Sequence, residues 1–482
     1  MTKREIIIDP VTRVEGHGRV SLHLNARDEI EEARLHIVEF RGFERFVQGR
    51  PYWEAPVLVQ RLCGICPVSH HLCAAKAIDE IVGMRDETIP ATAQAMRRLM
   101  HYGQVLQSHA LHYFYLAAPD LLLGVESDPS ARNVVGLYQK SPELAKRGIL
   151  IRKFGQEIIK ATAGKKIHGI SAVPGGIHKN LSTEEINAFF DGETMPSISS
   201  VIDWMEEIIA LYVEYHQTNI GFISNFAEAS GLSTSLIGKD GLHELYHGPL
   251  RVLDHEGKFI LEDVDYHAYT DFYREEVRSW SYMKFPFIEK LGKNDGSMLV
   301  GPLARLINAE AFSTPKAQRA LEFYRSQNGR YSRSLLNTHW ARLIEMLHCA
   351  EKIEELLKDP VMKGTELIKT GQHHEEGIGF LEAPRGTLIH HYRVAETGEI
   401  KKCNLIVSTT HNNQSMNDAI KSVAVRLKNE GHKIDEGYLN HLEVAIRCYD
   451  PCLSCATHAV GKMPLKLELF SKDQKIEEWI RN

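Results

Sequence analysis

Two short cysteine pairs stand near opposite ends of the 482-residue chain, Cys63-Gly64-Ile65-Cys66 and Cys452-Leu453-Ser454-Cys455. Deprotonated, each pair offers two soft thiolate ligands from one turn of backbone. Four thiolates can close a structural zinc site, but the two pairs of a zinc ribbon usually lie within about 15–20 residues of each other, and these are separated by most of the chain. Thiolates also hold redox metals and can bridge two of them, whereas zinc cannot change oxidation state. The pairs alone leave zinc, a redox centre and uncoordinated cysteines open. Cys73, Cys349, Cys403 and Cys448 have no comparable spacing and read as small buried hydrophobes.

Other polar segments recur around these pairs. They are Asp9 to His17, Arg41-Gly42-Phe43-Glu44, Ser69-His70-His71, Glu382-Ala383-Pro384-Arg385-Gly386 and Asn404 to Asn413. Each has an ordinary reading: a turn with a surface salt bridge, a helix-surface acid, helix-start histidines, a surface arginine. Taken together, Arg61-x-Cys63-Gly64-x-Cys66-x-x-x-His70 and Asp450-Pro451-Cys452-x-x-Cys455-x-x-His458 resemble the large subunit of a nickel-iron hydrogenase. The wording of Phe40 to Glu44, Cys66 to His70 and Ala456 to Ala459 is similar to its cytoplasmic bidirectional, NAD-reducing class.

That resemblance implies a nickel-iron centre with carbon monoxide and cyanide on the iron. Cys63 and Cys452 are then terminal on nickel, and Cys66 and Cys455 bridge the two metals. Cleaving hydrogen at neutral pH needs an acceptor for hydride and a base for the proton. The family role of base falls to Cys452, which passes the proton to Glu15. Arg385 lies over the open metal position and bonds a cyanide, Asp120 fixes that arginine, Thr409 donates to the second cyanide, and His70 supports the site from behind. Glu44, His458 and the Leu405 carbonyl hold a magnesium-type ion, for which iron could substitute. Residues 1–458 form a single domain on this reading, and 459–482 are an extension removed on maturation by an endopeptidase.

The implied partners are a small subunit carrying iron-sulfur clusters, together with diaphorase subunits that bind flavin and NAD. No further cysteine array for an iron-sulfur cluster and no Gly-x-Gly-x-x-Gly fingerprint is present in this chain. The alternatives are a non-catalytic homologue or zinc scaffold of a redox complex, and a hydrogenase feeding heterodisulfide reductase or ferredoxin. A net charge of −6, from 57 basic and 63 acidic residues, argues against nucleic acid. No run of 18 apolar residues and no signal-peptide pattern is seen, so a cytoplasmic protein without a membrane span is expected.

The elements that must position these residues follow from periodicity. Residues 5–8, 19–24 and 33–40 read as an N-terminal sheet around the bent Asp9–His17 loop. A helix is expected from Ser69 to Val82, with Pro67 in its first turn and the first cysteine pair at its positive end. Long helices over Thr92 to Ala118, Ile198 to Phe222 and Ser334 to Leu357 should form a bundle. Between them, Val173 to Gly176 is a tight turn, and short strands fall at Arg251 to Leu253 and Phe259 to Leu261. The segment from Ile378 to Val407 must return to the cysteine site, and Leu465 to Phe470 is strand-like. The expected class is α+β, mainly helical, with a central long-helix bundle and small peripheral β-sheets: the hydrogenase large-subunit fold.

Overall fold

The computed structural model describes residues 5–85, 87–457, 465–471 and 474–481. At the N-terminus, β1 (Glu5–Ile8), β2 (Gly18–Leu24) and β3 (Ile30–Ile37) pair as an antiparallel sheet in that order. The Asn25 side chain accepts the amides of Arg27 and Glu29, closing the polar turn before β3. β3 ends at Ile37 rather than Phe40: Val38 and Phe40 are exposed, so the apolar run outlasts the buried face.

Helices build most of the core. α1 (Pro67–Ile81) starts immediately after Cys66 and is almost wholly buried. α2 (Ala91–Leu111) packs along α3 (Pro142–Ala163), and at their crossing a Cβ on Gly103 or Gly155 would strike the opposite helix. The chain does not stop at Pro119. It widens into a π turn over His112–Ala117 and resumes as Ala118–Leu123, placing the missing proline N–H in a first turn where none is needed. α4 (Ile198–Thr218) breaks at Asn219 before the short helix Ile220–Phe226. α5 (Pro302–Asn308) and α6 (Asn337–Lys358) follow, and α6 packs on both α2 and α4. The expected bundle is therefore centred on α6, and its most extensive helix contact, α2 on α3, involves a helix that the apolar periodicity did not single out. α7 (Asn413–Asn429) lies on β3 and beside α8 (Glu436–Cys448), which leads into the second cysteine pair.

Two larger sheets follow among the described residues. β4 (Leu232–Leu236), β5 (Leu250–Leu253), β6 (Phe259–Val264) and β7 (Met298–Leu299) pair in the order β7-β4-β5-β6. β8 (Glu376–Ala383), β9 (Gly386–Val394) and β10 (Ile400–Ile406) form an antiparallel meander lying on α1. This meander is the segment expected to return to the cysteines, and its β8–β9 turn carries Arg385. β11 (Leu465–Ser471) and β12 (Gln474–Arg481) make a hairpin, so the charged C-terminal stretch is largely a second strand. One buried apolar cluster runs from Ile8 to Ala456, and a second surrounds the four paired cysteines. Cys73, Cys349, Cys403 and Cys448 are buried and free, as small core residues would be.

Candidate metal centre

The four paired cysteines converge. Their ligand atoms all lie within 4.8 Å of one another, and all four residues are buried. The sulfurs of Cys63 and Cys452 are 3.3 Å apart, those of Cys66 and Cys455 3.6 Å, and those of Cys452 and Cys455 2.7 Å. Cys66 caps α1, and the amides of Ile65 and Cys66 both donate to the Cys63 sulfur at 3.2 Å. Burial pushes the Cys63 thiol up, but hydrogen bonds from the other three thiols and the charge of Arg385 outweigh it and hold Cys63 well below the ordinary thiol range. Burial drives Cys452 and Cys455 well above that range. A buried cluster that readily holds only part of its possible negative charge is a strong ligand for a cation that displaces the remaining protons.

Arg385 closes one side of the cluster. Its Nε donates to the Asp450 carbonyl at 2.6 Å, one terminal nitrogen to the Asp450 carboxylate at 3.0 Å and the other to the Ser108 hydroxyl at 3.2 Å. Burial would discharge the guanidinium, but Asp450 and the neighbouring thiolates keep it charged. Beside it lies a narrow cavity of about 10 Å³ whose walls include Cys66, Ser69, His70, Pro384, Thr409 and Cys452. The Ser69 hydroxyl is fully buried on this wall and has no protein hydrogen-bond partner. An unmet buried hydroxyl is costly. Four thiolates on one side, and a guanidinium with two hydroxyls around a small cavity on the other, fit a soft-ligated metal pair carrying compact polar ligands.

The remaining sequence-predicted residues divide. Thr409 accepts the Cys452 amide at 2.9 Å. Glu15 lies against the second pair: its carbonyl accepts the Leu453 amide at 3.0 Å and its carboxylate the Ser454 amide at 3.2 Å. The next residue, Gly16, has φ +85 and no room for a Cβ against Leu453 and Ser454. His70 lines the cavity, and its Nδ1 is 3.2 Å from His390 Nε2. Glu44 is beside Leu405, accepting that residue's amide at 2.9 Å. His458 lies outside the described residues.

Asp120 requires a correction. The carboxylate bonded to Arg385 is Asp450, while Asp120 is taken up by Arg13 at 2.5 Å, Arg447 at 3.0 Å and Asn440 at 3.2 Å. Arg447 also bonds the Thr12 carbonyl and hydroxyl and the Glu443 carboxylate, which in turn accepts from Thr12. Asp120 thus pins the loop that presents Glu15, through Arg13 of that loop and through Arg447, which also holds Thr12.

Several contributors escaped sequence reasoning. Asp450 stood inside a quoted motif without a role. Its left-handed backbone, φ +52, turns its carbonyl and carboxylate together onto Arg385. Gln104 and Gln107 both donate to the Ile65 carbonyl, at 2.8 and 2.7 Å, and His168 donates to the Cys63 carbonyl at 3.0 Å. The available signal was a cluster of polar residues late in a helix that is apolar over more than one face: Gln104, Gln107 and Ser108 of α2 all face the first cysteine loop or Arg385.

Comparison with known proteins agrees with this geometry. Residues 41–132 and 213–458 match the family described as nickel-dependent hydrogenase, and residues 5–40 match one described as HoxL-like. The chain is 49% identical to the NAD-reducing hydrogenase HoxS subunit beta of Cupriavidus necator, over 97% of both chains. It is 39% identical to a chain of the F420-non-reducing hydrogenase of Methanothermobacter thermautotrophicus, over 95% of both. Its structure superposes on that of an NAD+-reducing [NiFe]-hydrogenase in the H2-reduced state with a TM-score of 0.90 and 54% identity, covering 94% of this chain and 99% of the other. The chain belongs to the nickel-dependent hydrogenase family.

Proposed function

We propose that this chain is the catalytic subunit of a nickel-iron hydrogenase that reversibly cleaves H2 into protons and electrons, with NAD+ as the final acceptor. The carrying observation is the convergence of four buried thiols under a fixed arginine in a chain of this family. The NAD assignment is supported by the two NAD-reducing relatives. Bound by Cys63, Cys66, Cys452 and Cys455, a nickel-iron pair with carbon monoxide and cyanide on the iron supplies the electron-accepting half of the reaction.

The chain's own residues supply the rest. Arg385, held on two sides by Asp450 and Ser108, presents an oriented cation where negative charge develops, without reorganising during the reaction. The Cys452 thiolate receives the proton, and Glu15 is the next acceptor, its carboxylate already anchored to the Ser454 amide. Thr409 accepts from the Cys452 amide and keeps its own hydroxyl proton for a cyanide. Glu44, the Leu405 carbonyl and His458 would hold a magnesium-type ion. Electrons leave through a small subunit with iron-sulfur clusters, then pass to flavin- and NAD-binding partners. Gly64, between the first two cysteines, is exposed, so the cluster comes close to the surface there. No helix among the described residues is long and apolar enough to cross a membrane, and a cytoplasmic location follows from NAD as acceptor.

Residues 459–482 are cut off by a maturation endopeptidase in this reading, freeing His458 to reach the hard metal and coupling metal insertion to final folding. The test is the anaerobically purified complex: stoichiometric nickel and iron, carbon monoxide and cyanide bands in the infrared, and H2-dependent NAD+ reduction are expected. Zinc in place of nickel, without H2 uptake, would overturn it. Intact mass of the active complex is expected to end this chain at His458; full activity with Ala459 to Asn482 retained would refute the maturation step alone.

A further inference from the structure

We infer that Arg305 is a positioning residue for Arg385, acting through the β8–β9 turn; the inference rests on the role of Arg385 proposed above. Arg305 lies on α5 and is fully buried. One terminal nitrogen donates to the Glu382 carboxylate at 2.9 Å and to the Ala383 carbonyl at 3.0 Å, and the other reaches the Pro384 carbonyl at 3.2 Å. The three residues before Arg385 are therefore all held by one guanidinium. On its other edge, Arg305 makes a two-pronged contact with Glu345 of α6, at 2.6 and 2.7 Å.

Glu345 is the anchor of the arrangement. Its two oxygens also accept the Nε2 atoms of His109 and His243, each at 3.0 Å. Burial presses His109 down to about 3, so it bonds as a neutral imidazole. Burial would raise the Glu345 carboxyl, but Arg305 and these donors hold it well below the usual carboxylate range. His109 follows Ser108, the hydroxyl on Arg385, so adjacent residues of α2 touch Arg385 and the carboxylate that holds Arg305. The turn is constrained from a second direction as well. Gly386, at φ +127, is pressed so closely on Val300 and Gly301 that a Cβ would fall 2.4 Å from the Val300 side chain. Gly301 leads directly into α5. The backbone bearing Arg385 is thus seated against the start of α5 and tied to that helix's own arginine.

All three nitrogens of Arg305 are used, in one plane, toward partners on opposite edges. A lysine could keep the charge but cannot span Glu345 and the turn. Letting the turn shift by about 1 Å would swing Arg385 away from the Asp450 carbonyl, and a misplacement of that size costs roughly 100-fold in rate.

A double-mutant cycle in the metal-loaded complex separates positioning from general stability. Arg305→Lys is expected to keep nickel and iron, lose about 10- to 100-fold in kcat and shift the cyanide infrared bands. In an Arg385→Lys background the same change should cost less than about threefold, because the group it acts through is already gone. Glu382→Gln, a milder change that weakens the same grip, should show the same pattern with a smaller loss. If Arg305→Lys does not assemble, the Glu382→Gln cycle decides. Wild-type rates and bands, or losses that multiply in full in the Arg385→Lys background, would overturn the inference. Full activity of Arg385→Lys alone would instead bring down the parent reading.

Discussion

Cys63 and Cys66 are placed mainly by backbone close at hand: the Cys63 sulfur receives two amides from its own loop, Pro67 starts α1 at once, and α2 braces the Ile65 carbonyl with Gln104 and Gln107. Cys452 and Cys455 follow α8, and their backbone is held by residues far away in sequence. Thr409 takes the Cys452 amide, Glu15 the amides of Leu453 and Ser454, and Arg385 the carbonyl of Asp450. The first pair is held largely by a loop and two helices, and its Cys63 is the thiol most readily ionised. The second pair is held in place by the Glu15 loop, the β8–β9 turn and the Thr409 segment together. A site divided this way lets the half that closes the cage be assembled last, which suits insertion of a metal into a nearly finished fold.

The severest test asks whether this asymmetry in support matters once metal is bound. Cys66→Ser and Cys455→Ser should both abolish H2 uptake, since an alkoxide is a poor soft ligand. They should differ in what remains: the Cys455 variant keeps the preformed first pair and should retain more residual metal than the Cys66 variant. Metal analysis beside an activity assay reads both, and full metal with activity in either would remove the four-thiolate assignment. Next in size is Arg385→Lys. It should retain the metals and lose about 100- to 1000-fold in turnover, the range seen when one oriented transition-state donor is removed. A wild-type rate would return Arg385 to a structural role.

What could be read beforehand follows the same division. The first pair, its helix and Pro67 are adjacent in sequence, so spacing and helix-start chemistry exposed them together. The second pair was visible as a motif, but its supports were not, because a hydrogen bond between Glu15 and Ser454 has no local signature. The exchange of Asp120 for Asp450 shows the limit: both are acids beside a proline, and only the fold reveals that Arg13 and Arg447 occupy Asp120. α3 was missed for another reason. Its buried stripe sets Ile151, Phe154, Ile158 and Ile159 beside the small residues Ala145, Gly148 and Gly155 on one face only, with charged neighbours on the others, so it lacks the broad apolar run that betrayed α2.

Glu15→Gln probes one of the distant partners that hold the second pair. The amide can keep the shape and still accept the Ser454 N–H, but it cannot take up and release a proton near neutral pH. Isotope exchange between deuterium gas and water should fall about 100-fold, within the range for loss of one acid-base group, while spectroscopy still detects H2 reaching the metals. Normal exchange would assign the proton route elsewhere and leave Glu15 as backbone support for Leu453 and Ser454.

The smallest expected effect belongs to Thr409, and it resolves the comparison most finely. Its hydroxyl accepts the Cys452 amide at 2.9 Å, in a region where neither group meets water. Thr409→Val preserves shape and leaves that amide unmet, a cost of about 1–3 kcal/mol that falls on the second pair rather than the first. If the hydroxyl only supports Cys452, the variant should lose stability and about three- to tenfold in turnover, with the cyanide bands unmoved. If it also donates to a cyanide, one of the two cyanide bands should shift as well, and Thr409→Ser should restore both band and rate because the hydroxyl returns. The proposed double role requires the second outcome. A shift of neither band in the valine variant would confine Thr409 to holding the loop of Cys452.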